Sequence, residues 1–445
     1  MKRWLALAAY DGLMHLLAPL LWLRFKRRAK AEPLYGEHLN ERFARYRSVS
    51  SGRRLWVHAV SLGETRAAAP LLQALRAQRP GLRILLTHGT ATGREAGRAL
   101  LREGDRQCWL PIDTAAAARR FLLHHRPVLG VLMETEVWPN LLREAERLGV
   151  PMLLANARLS PKSLVKARRL NALLRPAVQR IGQVLAQTEA DAERFRSAGA
   201  ADVRVLGNLK FDLTPDAALL ARGAVWHGGL DRPVVLAAVW RDGEDQPLLD
   251  AWRAMLLERG QRGEGAEPSK RPLLVIVPRH PQRFDEVAAL IQAAGFSLAR
   301  RSAWGEHQPD AAAQAADVWL GDSMREMPAY YALADVVLLG GSFAPLGGQN
   351  LIEPAACGRV VVMGPHTFNF AEAAALAETA GAARRVADLP AAVLEALRLL
   401  TSPERAALQQ AATTFAGAHR GAAERLAQAV LVQLDAERSG WSTAL

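Results

Sequence analysis

Glu64 closes the run His58-Ala-Val-Ser-Leu-Gly-Glu64, just ahead of a helical pattern. Gly63 lets the backbone turn and leaves the side chain room, so a carboxylate held there can take the proton of an attacking hydroxyl. The position equally suits a first-turn glutamate that complements the helix dipole. Glu134 and Glu136 flank Thr135 after the apolar run Val128–Met133. Two carboxylates at a strand end suit acid–base work, a two-carboxylate glycosidase included, and also suit capping of the helix after Pro139. Lys210, in Gly207-Asn-Leu-Lys-Phe-Asp212, can neutralise a leaving phosphate or stand as a solvated surface charge. Arg279 and His280 follow the apolar run Leu273–Pro278, where they can dock a phosphate or lie in a solvated loop.

The stretch Asp335–Phe370 reads as strand, glycine-rich loop, short helix and strand. Val336–Leu339 is continuous apolar sequence, as in a strand buried on both faces. Gly340, Gly341, Gly347 and Gly348 surround a loop that needs unusual backbone angles or close approach of a ligand. Asn350 can cap the following helix, with Glu353 at capping-box spacing. A helix N-terminus behind such a loop is an anion site; an ordinary βαβ turn with a well-capped helix reads the same way. Pro354 suits a helix only in its first turn, so the spacing predicts an irregular start.

These stretches sit among alternating strands and helices. Leu55–Val60, Arg83–Thr87, Gln107–Leu110, Val128–Met133, Met152–Asn156, Gln183–Ala186 and Val203–Leu206 read as strands, with a helix over Arg66–Arg79. After an alanine-rich segment broken at His227-Gly228-Gly229, a second set runs through Val234–Ala238, Leu273–Pro278, Val318–Gly321, Val336–Leu339 and Val360–Met363. Strands spaced by helices predict parallel sheets with helices on both faces, and ligands beyond the C-terminal strand ends. Gly260–Arg271 reads as a mobile surface loop and Trp304–Ala315 as an irregular connection. Ser402–Leu434 has helical periodicity. Two βα domains suit nucleotide-sugar chemistry, with the donor in the C-terminal half.

At 445 residues the chain exceeds one core at about 100–200 residues per domain. With 50% hydrophobic residues it is not disordered. A net charge of +13, from 57 Lys+Arg against 44 Asp+Glu, suits nucleic acid, an anionic membrane or a phosphorylated substrate. Aromatic residues make up only 6%, and no RRM, zinc-finger or helix-turn-helix signature appears, so membrane and phosphate are the expected partners and nucleic acid is not. Cys108 and Cys357 stand far apart, as small buried hydrophobes of a reducing compartment, and no Cys/His/Asp set has metal spacing. Trp4–Leu23 is nearly continuous apolar sequence of membrane-spanning length, followed by Arg24, Lys26, Arg27, Arg28 and Lys30. Asp11 and His15 leave an interfacial helix open, and a soluble helix covering a groove is the third reading. Lys162, Lys166, Arg168, Arg169, Arg175 and Arg180 run beside Leu164, Leu170, Leu173 and Leu174, a basic amphipathic segment for lipid headgroups or a plain surface helix.

Together the blocks HAVSLGET (58–65), METEVWPN (133–140), ANARLS (155–160), GNLKFD (207–212), VPRHPQRF (277–284) and GGQNLIEPAACGRVVVMGPHTFNF (347–370) resemble the 3-deoxy-D-manno-octulosonic acid (Kdo) transferases of lipopolysaccharide synthesis, glycosyltransferase family 30. The resemblance runs in order from the N-terminal anchor to about residue 370. It implies an α/β, GT-B fold of two Rossmann-like domains facing across a cleft, with a membrane-anchoring helix. The expected division is an anchor at 1–30, an acceptor-binding domain at 31–220 and a donor-binding domain at 221–445 whose last helix can cross back. It implies a CMP-Kdo donor, a lipid IVA acceptor, and inverting transfer without metal or other cofactor at the cytoplasmic face of the inner membrane. Glu64 falls on the family's base, and Glu134 and Lys210 on transition-state positions. Pro278 and Arg279, Met324, Arg325 and Glu326, and Asn350, Leu351, Ile352 and Glu353 fall on CMP-contacting segments. The pattern departs at Trp240-Arg241-Asp242-Gly243-Glu244, where a Ser/Thr-His-Glu-Gly-Glu run is expected, and at Gln349, where many relatives carry His. Other readings are a different GT-B transferase on a lipid-linked acceptor, separated by donor preference, and a non-catalytic nucleotide-sugar or membrane-binding module, which would keep its function after Glu64→Ala.

Overall fold

The computed structural model describes residues 2–46, 52–261, 271–304 and 308–442. The chain divides into two compact units, Met1–Asp212 with Arg420–Leu445, and Leu213–His419.

In the first unit the strands are β1 (Leu55–His58), β2 (Ile84–His88), β3 (Arg106–Trp109), β4 (Leu129–Met133), β5 (Met152–Ala157), β6 (Gln183–Ala186) and β7 (Val203–Val205). They form one sheet in the order β3-β2-β1-β4-β5-β6-β7. Every neighbouring pair is parallel, with Leu55 in register with Ile84 on one side and Leu129 on the other. Residues of β1, β2 and β4 are buried without alternation, because helices cover both faces. One face is closed partly by the last helix, Ala422–Ser442, whose Leu426, Val430, Leu431 and Leu434 pack with Leu71 and Leu75 of the helix Leu62–Gln78. Asp212 fixes that return by accepting from the Gly421 (2.6 Å) and Ala423 (2.7 Å) N–H groups. The helix after β1 starts at Leu62 and not at Arg66, because the Ser61 hydroxyl caps it by accepting from the Glu64 N–H.

The N-terminal helix spans Lys2–Ala31 and exposes Trp4, Leu5, Leu13, Leu16, Leu20 and Leu23. Two of its polar residues, Tyr10 and Asp11, face the domain. Asp11 accepts from the Ala115 N–H (2.7 Å) and the Asn140 amide (3.0 Å), and the Tyr10 hydroxyl donates to Asp113 (3.0 Å). Further along, Phe25, Tyr35 and Trp109 stack, with the Arg42 guanidinium 4.1 Å from the Phe25 ring centre and 3.9 Å from that of Trp109.

The second unit repeats the plan with β8 (Val234–Trp240), β9 (Leu273–Pro278), β10 (Leu298–Arg300), β11 (Val318–Leu320), β12 (Val336–Leu339), β13 (Val360–Met363) and β14 (Ala383–Arg385). The order is β10-β11-β9-β8-β12-β13-β14, again all parallel. Edge strands β10 and β14 are three residues each and carry arginines, which hides them from an apolar-run criterion. Of the expected loop Gly260–Arg271, residues 262–270 lie outside the described residues. The connection Trp304–Ala315 contains the short helix Ala311–Ala315, capped by Asp310, and residues 305–307 lie outside the described residues.

Candidate active site

In each sheet the strand order reverses direction near the centre, and there the loops leaving adjacent strands part to open a crevice; in the second sheet β11 also lies between β9 and β10. In the first unit this place is between β1 and β4. Glu64 follows β1 and Glu134 follows β4, so the topology brings them to one spot. Glu64 is half-buried; its carboxylate accepts from the Val60 N–H (2.8 Å) and the Ser61 hydroxyl (3.1 Å). The capping geometry and a fixed, available carboxylate therefore coexist in one residue. Gly63 lies in the first helical turn, and a Cβ there would meet only Ser61 Oγ, at 3.9 Å. The glycine leaves space beside the carboxylate; no special backbone angle calls for it.

Glu134 adopts φ +57°, a left-handed conformation uncommon outside glycine, and pairs with Lys210 at 3.2 Å. Lys210 lies on the 3₁₀ turn Leu209–Asp212. Asn156, at φ +52° near the end of β5, ties that turn to the sheet by accepting from the Leu209 N–H (3.0 Å). Burial pushes the Glu64 carboxyl up to about 7; its bonds from Val60 and Ser61 oppose the rise, the Glu134 carboxylate adds to it and Lys210 opposes it. Burial and the neighbouring Glu64 likewise push Glu136 up to about 7. The first unit thus holds a carboxylate that titrates near neutrality beside a fixed lysine–carboxylate pair, a set able to accept a hydroxyl proton.

In the second unit the reversal lies between β8 and β12. The glycine loop after β12 closes on Glu244, after β8. The Glu244 carboxylate accepts from the N–H groups of Gly341 (2.7 Å), Phe343 (3.0 Å), Ala344 (3.1 Å) and Arg241 (3.3 Å). These N–H groups serve a protein carboxylate and are not left for an outside anion. Gly340 is required: a Cβ there would lie 2.5 Å from the Val239 carbonyl oxygen. The helix beyond the loop is Ile352–Ala356, and its N-cap is Leu351. Asn350 still accepts from the Ile352 N–H (3.1 Å), and its amide donates to Glu353 (3.2 Å), so Glu353 bonds the Asn350 side chain where a capping box would bond its backbone. Pro354 sits in the first turn, where its missing N–H costs nothing.

Arg279 is exposed after buried Pro278 at the end of β9, its N–H bonded to the Trp240 carbonyl (2.8 Å). After β11, Met324 is exposed and Arg325 takes φ +68°. Glu326 is engaged by Arg222 (2.7 Å) and Arg301 (2.9 Å). The departing residues Arg241 and Gln349 flank one glycine: a Cβ on Gly341 would meet Gln349 Nε2 at 3.2 Å and Arg241 Cγ at 3.3 Å.

A family model described as 3-deoxy-D-manno-octulosonic-acid transferase matches residues 37–213. A 3-deoxy-D-manno-octulosonic acid transferase of Bordetella pertussis is 49% identical over 429 residues, covering 93% of this chain and 96% of that protein. The chain belongs to the Kdo transferase family. A second Kdo transferase, from Haemophilus influenzae, is 33% identical over 94% of this chain and 96% of its own. The fold is of the GT-B type: a solved glycosyltransferase from Rickettsia africae superposes with a TM-score of 0.56 at 11% identity, covering 86% of this chain and 99% of that one.

In this Kdo transferase the sequence-derived residues fall into two groups. Glu64, Glu134 and Lys210 meet in the first unit. Pro278 with Arg279, Met324–Glu326 and Asn350–Glu353 line the C-terminal strand ends of the second. Glu244 had no role among the sequence-based expectations and was visible only as the last residue of the departing run. The available signal was its place, between a buried strand and a helix start, matching that of Glu64 in the first unit.

Proposed function

We propose that this Kdo transferase moves Kdo from CMP-Kdo to lipid IVA with inversion at the anomeric carbon, and that Glu64 is the general base. The observation that carries the reading is the Glu64 carboxylate, fixed by Val60 and Ser61 beside the Lys210–Glu134 pair, where burial pushes it up to about 7. Ionised Glu64 takes the proton of the acceptor hydroxyl as its oxygen bonds to the anomeric carbon, and CMP leaves with the electrons of the broken bond. Lys210, oriented by Glu134, offsets the negative charge that develops, working where water is scarce. The second unit takes the donor. Arg279 meets its phosphate, and Asn350–Glu353 meet the nucleoside, with Glu353 accepting from ribose hydroxyls. Met324–Glu326 form the remaining contact segment, set in place by the ion pairs of Glu326. The first unit takes the acceptor.

We also infer attachment to the cytoplasmic face of the inner membrane. The exposed apolar residues of Lys2–Ala31 and the basic helix Pro161–Arg169, followed by the helix Asn171–Val178 that packs beside Lys2–Ala31, support that reading.

Incubation with CMP-Kdo and lipid IVA, followed by the mass of the lipid, tests the reaction. The expected product is heavier by whole Kdo units and falls at least a hundredfold with Glu64→Ala, while CMP affinity stays within about twofold. A product made only from another nucleotide sugar overturns the donor assignment, and full transfer by Glu64→Ala overturns the base.

A further inference from the structure

The end of β8 holds a strained residue. Val239 is β-branched yet takes φ +55°, and the pairing of β8 with β9 shifts between Ala237 and Trp240. The shift sets buried Trp240 opposite Pro278 and carries Arg241 past the strand end. There the Arg241 main chain is locked: its N–H donates to the Glu244 carboxylate (3.3 Å) and its carbonyl accepts from the Glu244 N–H (3.2 Å). The stem lies against the glycine loop after β12, with Cγ 3.3 Å from where a Cβ on Gly341 would stand. The guanidinium at its tip is partly exposed and makes no hydrogen bond or ion pair among the described residues.

The acids nearby are engaged elsewhere. Glu244 accepts from four backbone N–H groups. Asp242, Asp245 and Glu286 face Arg283, at 3.7, 2.7 and 2.9 Å. Cations, by contrast, gather. Arg279 leaves the adjoining strand β9 one residue past Pro278, as Arg241 leaves β8 one residue past Trp240, and its N–H donates to the Trp240 carbonyl (2.8 Å). His280 comes next; burial, then Arg241, Arg279 and Arg283, hold its imidazole below the ordinary value, as a local positive field does. The Gln349 amide nitrogen lies 3.2 Å from the same Gly341 Cβ place, and its side chain also makes no bond among the described residues. A fixed main chain carrying an unpartnered guanidinium, with an amide beside it, is preorganised for an anion.

The nucleotide sugar assigned above brings two anions close together. The anomeric carbon of Kdo bears both the carboxylate and the bond to the phosphate oxygen. Arg279 takes the phosphate, which leaves the carboxylate to be met. The loop N–H groups that Glu244 holds are not open to it. We propose that Arg241 binds the sugar carboxylate of the nucleotide sugar, with the Gln349 amide as a second hydrogen-bond donor. The inference rests on the second unit taking CMP-Kdo. A planar guanidinium matches a carboxylate with two parallel hydrogen bonds, so it orients the sugar as well as attracting it. A nucleotide sugar with no carboxylate on its anomeric carbon leaves that guanidinium unmet, so the same residue selects for acidic keto-sugars.

Steady-state transfer and calorimetry of CMP binding, both on the full chain, test this together. CMP keeps the phosphate and lacks the carboxylate. Arg241→Ala is expected to raise KM for CMP-Kdo at least tenfold while weakening CMP no more than about threefold. Arg241→Lys, which keeps the charge and loses the planar fork, is expected to fall between Arg241→Ala and wild type. An unchanged KM in Arg241→Ala overturns the proposal. Equal losses of CMP and CMP-Kdo overturn it too, by placing Arg241 on the phosphate. Should Arg241→Ala not fold, Arg241→Gln is measured against the same two thresholds. Wild-type protein that binds no CMP removes the donor reading itself, and this inference with it.

Discussion

Glu64 and Glu244 occupy matching places in the two units and show how one residue type is spent in two ways. Glu64 has a half-open environment and only two bonded donors, so it keeps capacity for a proton. Glu244 is buried, with four backbone N–H groups aimed at it, and its work is to hold the loop Gly340–Gln349 in shape. Burial pushes its carboxyl upward and those four bonds pull it back. Glu244→Ala strands several buried donors at once, and each unmet one costs about 1–3 kcal/mol. The expected outcome is at least a tenfold loss of CMP affinity by calorimetry and a lower melting temperature, with Glu244→Gln intermediate because it keeps one acceptor. CMP binding unchanged in Glu244→Ala would separate the loop from the donor site. The contrast was not legible in the sequence, since the glycine loop advertised free N–H groups and the residue that occupies them lies about a hundred positions earlier.

Among the elements, most strands of both sheets were legible, because strands buried on both faces appear as unbroken apolar runs such as Val336–Leu339. The misses, β10 and β14, are short and arginine-bearing. Strand order was not legible, and it is strand order that puts Glu64 next to Glu134 and the Arg241–Glu244 turn next to the glycine loop. The N-terminal helix is the sharpest case. Its composition fits a membrane span. Its middle, however, is bonded to the domain through Asp11 and Tyr10, which meet the N-terminal ends of two domain helices around Asp113. A helix crossing the bilayer would carry Asp11 into hydrocarbon and strand the Ala115 N–H it serves. The element should therefore lie along the membrane surface with Trp4, Leu5, Leu16 and Leu20 dipped into it. An epitope tag placed before Lys2 should be removed by protease added to inside-out inner-membrane vesicles; a protected tag would mean that the helix crosses.

At the scale of the whole molecule, two units of one plan differ in how they meet acid. The first contains three histidines that burial holds far below the ordinary value: His58 at about 3, His88 at about 4 and His125 at about 3. It also contains three carboxyls that burial raises: Glu64 and Glu136 at about 7 and Asp113 at about 6. Their signs oppose. A histidine with a depressed folded value loses stability as pH falls below about 6.5, because only the unfolded chain binds the proton. A carboxyl with a raised folded value gains stability over the fall from about 7 to about 4.5, because only the folded chain binds it. Between about 4.5 and 6.5 the two sets offset. Below about 4.5 the glutamate gain is complete and Asp113 gains only down to about 3.8, while the histidine loss continues to about 4 for His88 and about 3 for His58 and His125, at about 1.4 kcal/mol per pH unit for each group still titrating. In the second unit the depressed carboxyls Asp322 and Asp335 begin to lose their contribution only below their ordinary value near 3.8, and buried Glu244 and Asp245 gain on protonation. The first unit should therefore open first. Brief digestion with pepsin between pH 4.5 and 3 is expected to cut between β1 and β7 at a higher pH than between β8 and β14. Simultaneous cutting of both units would mean that they unfold as one.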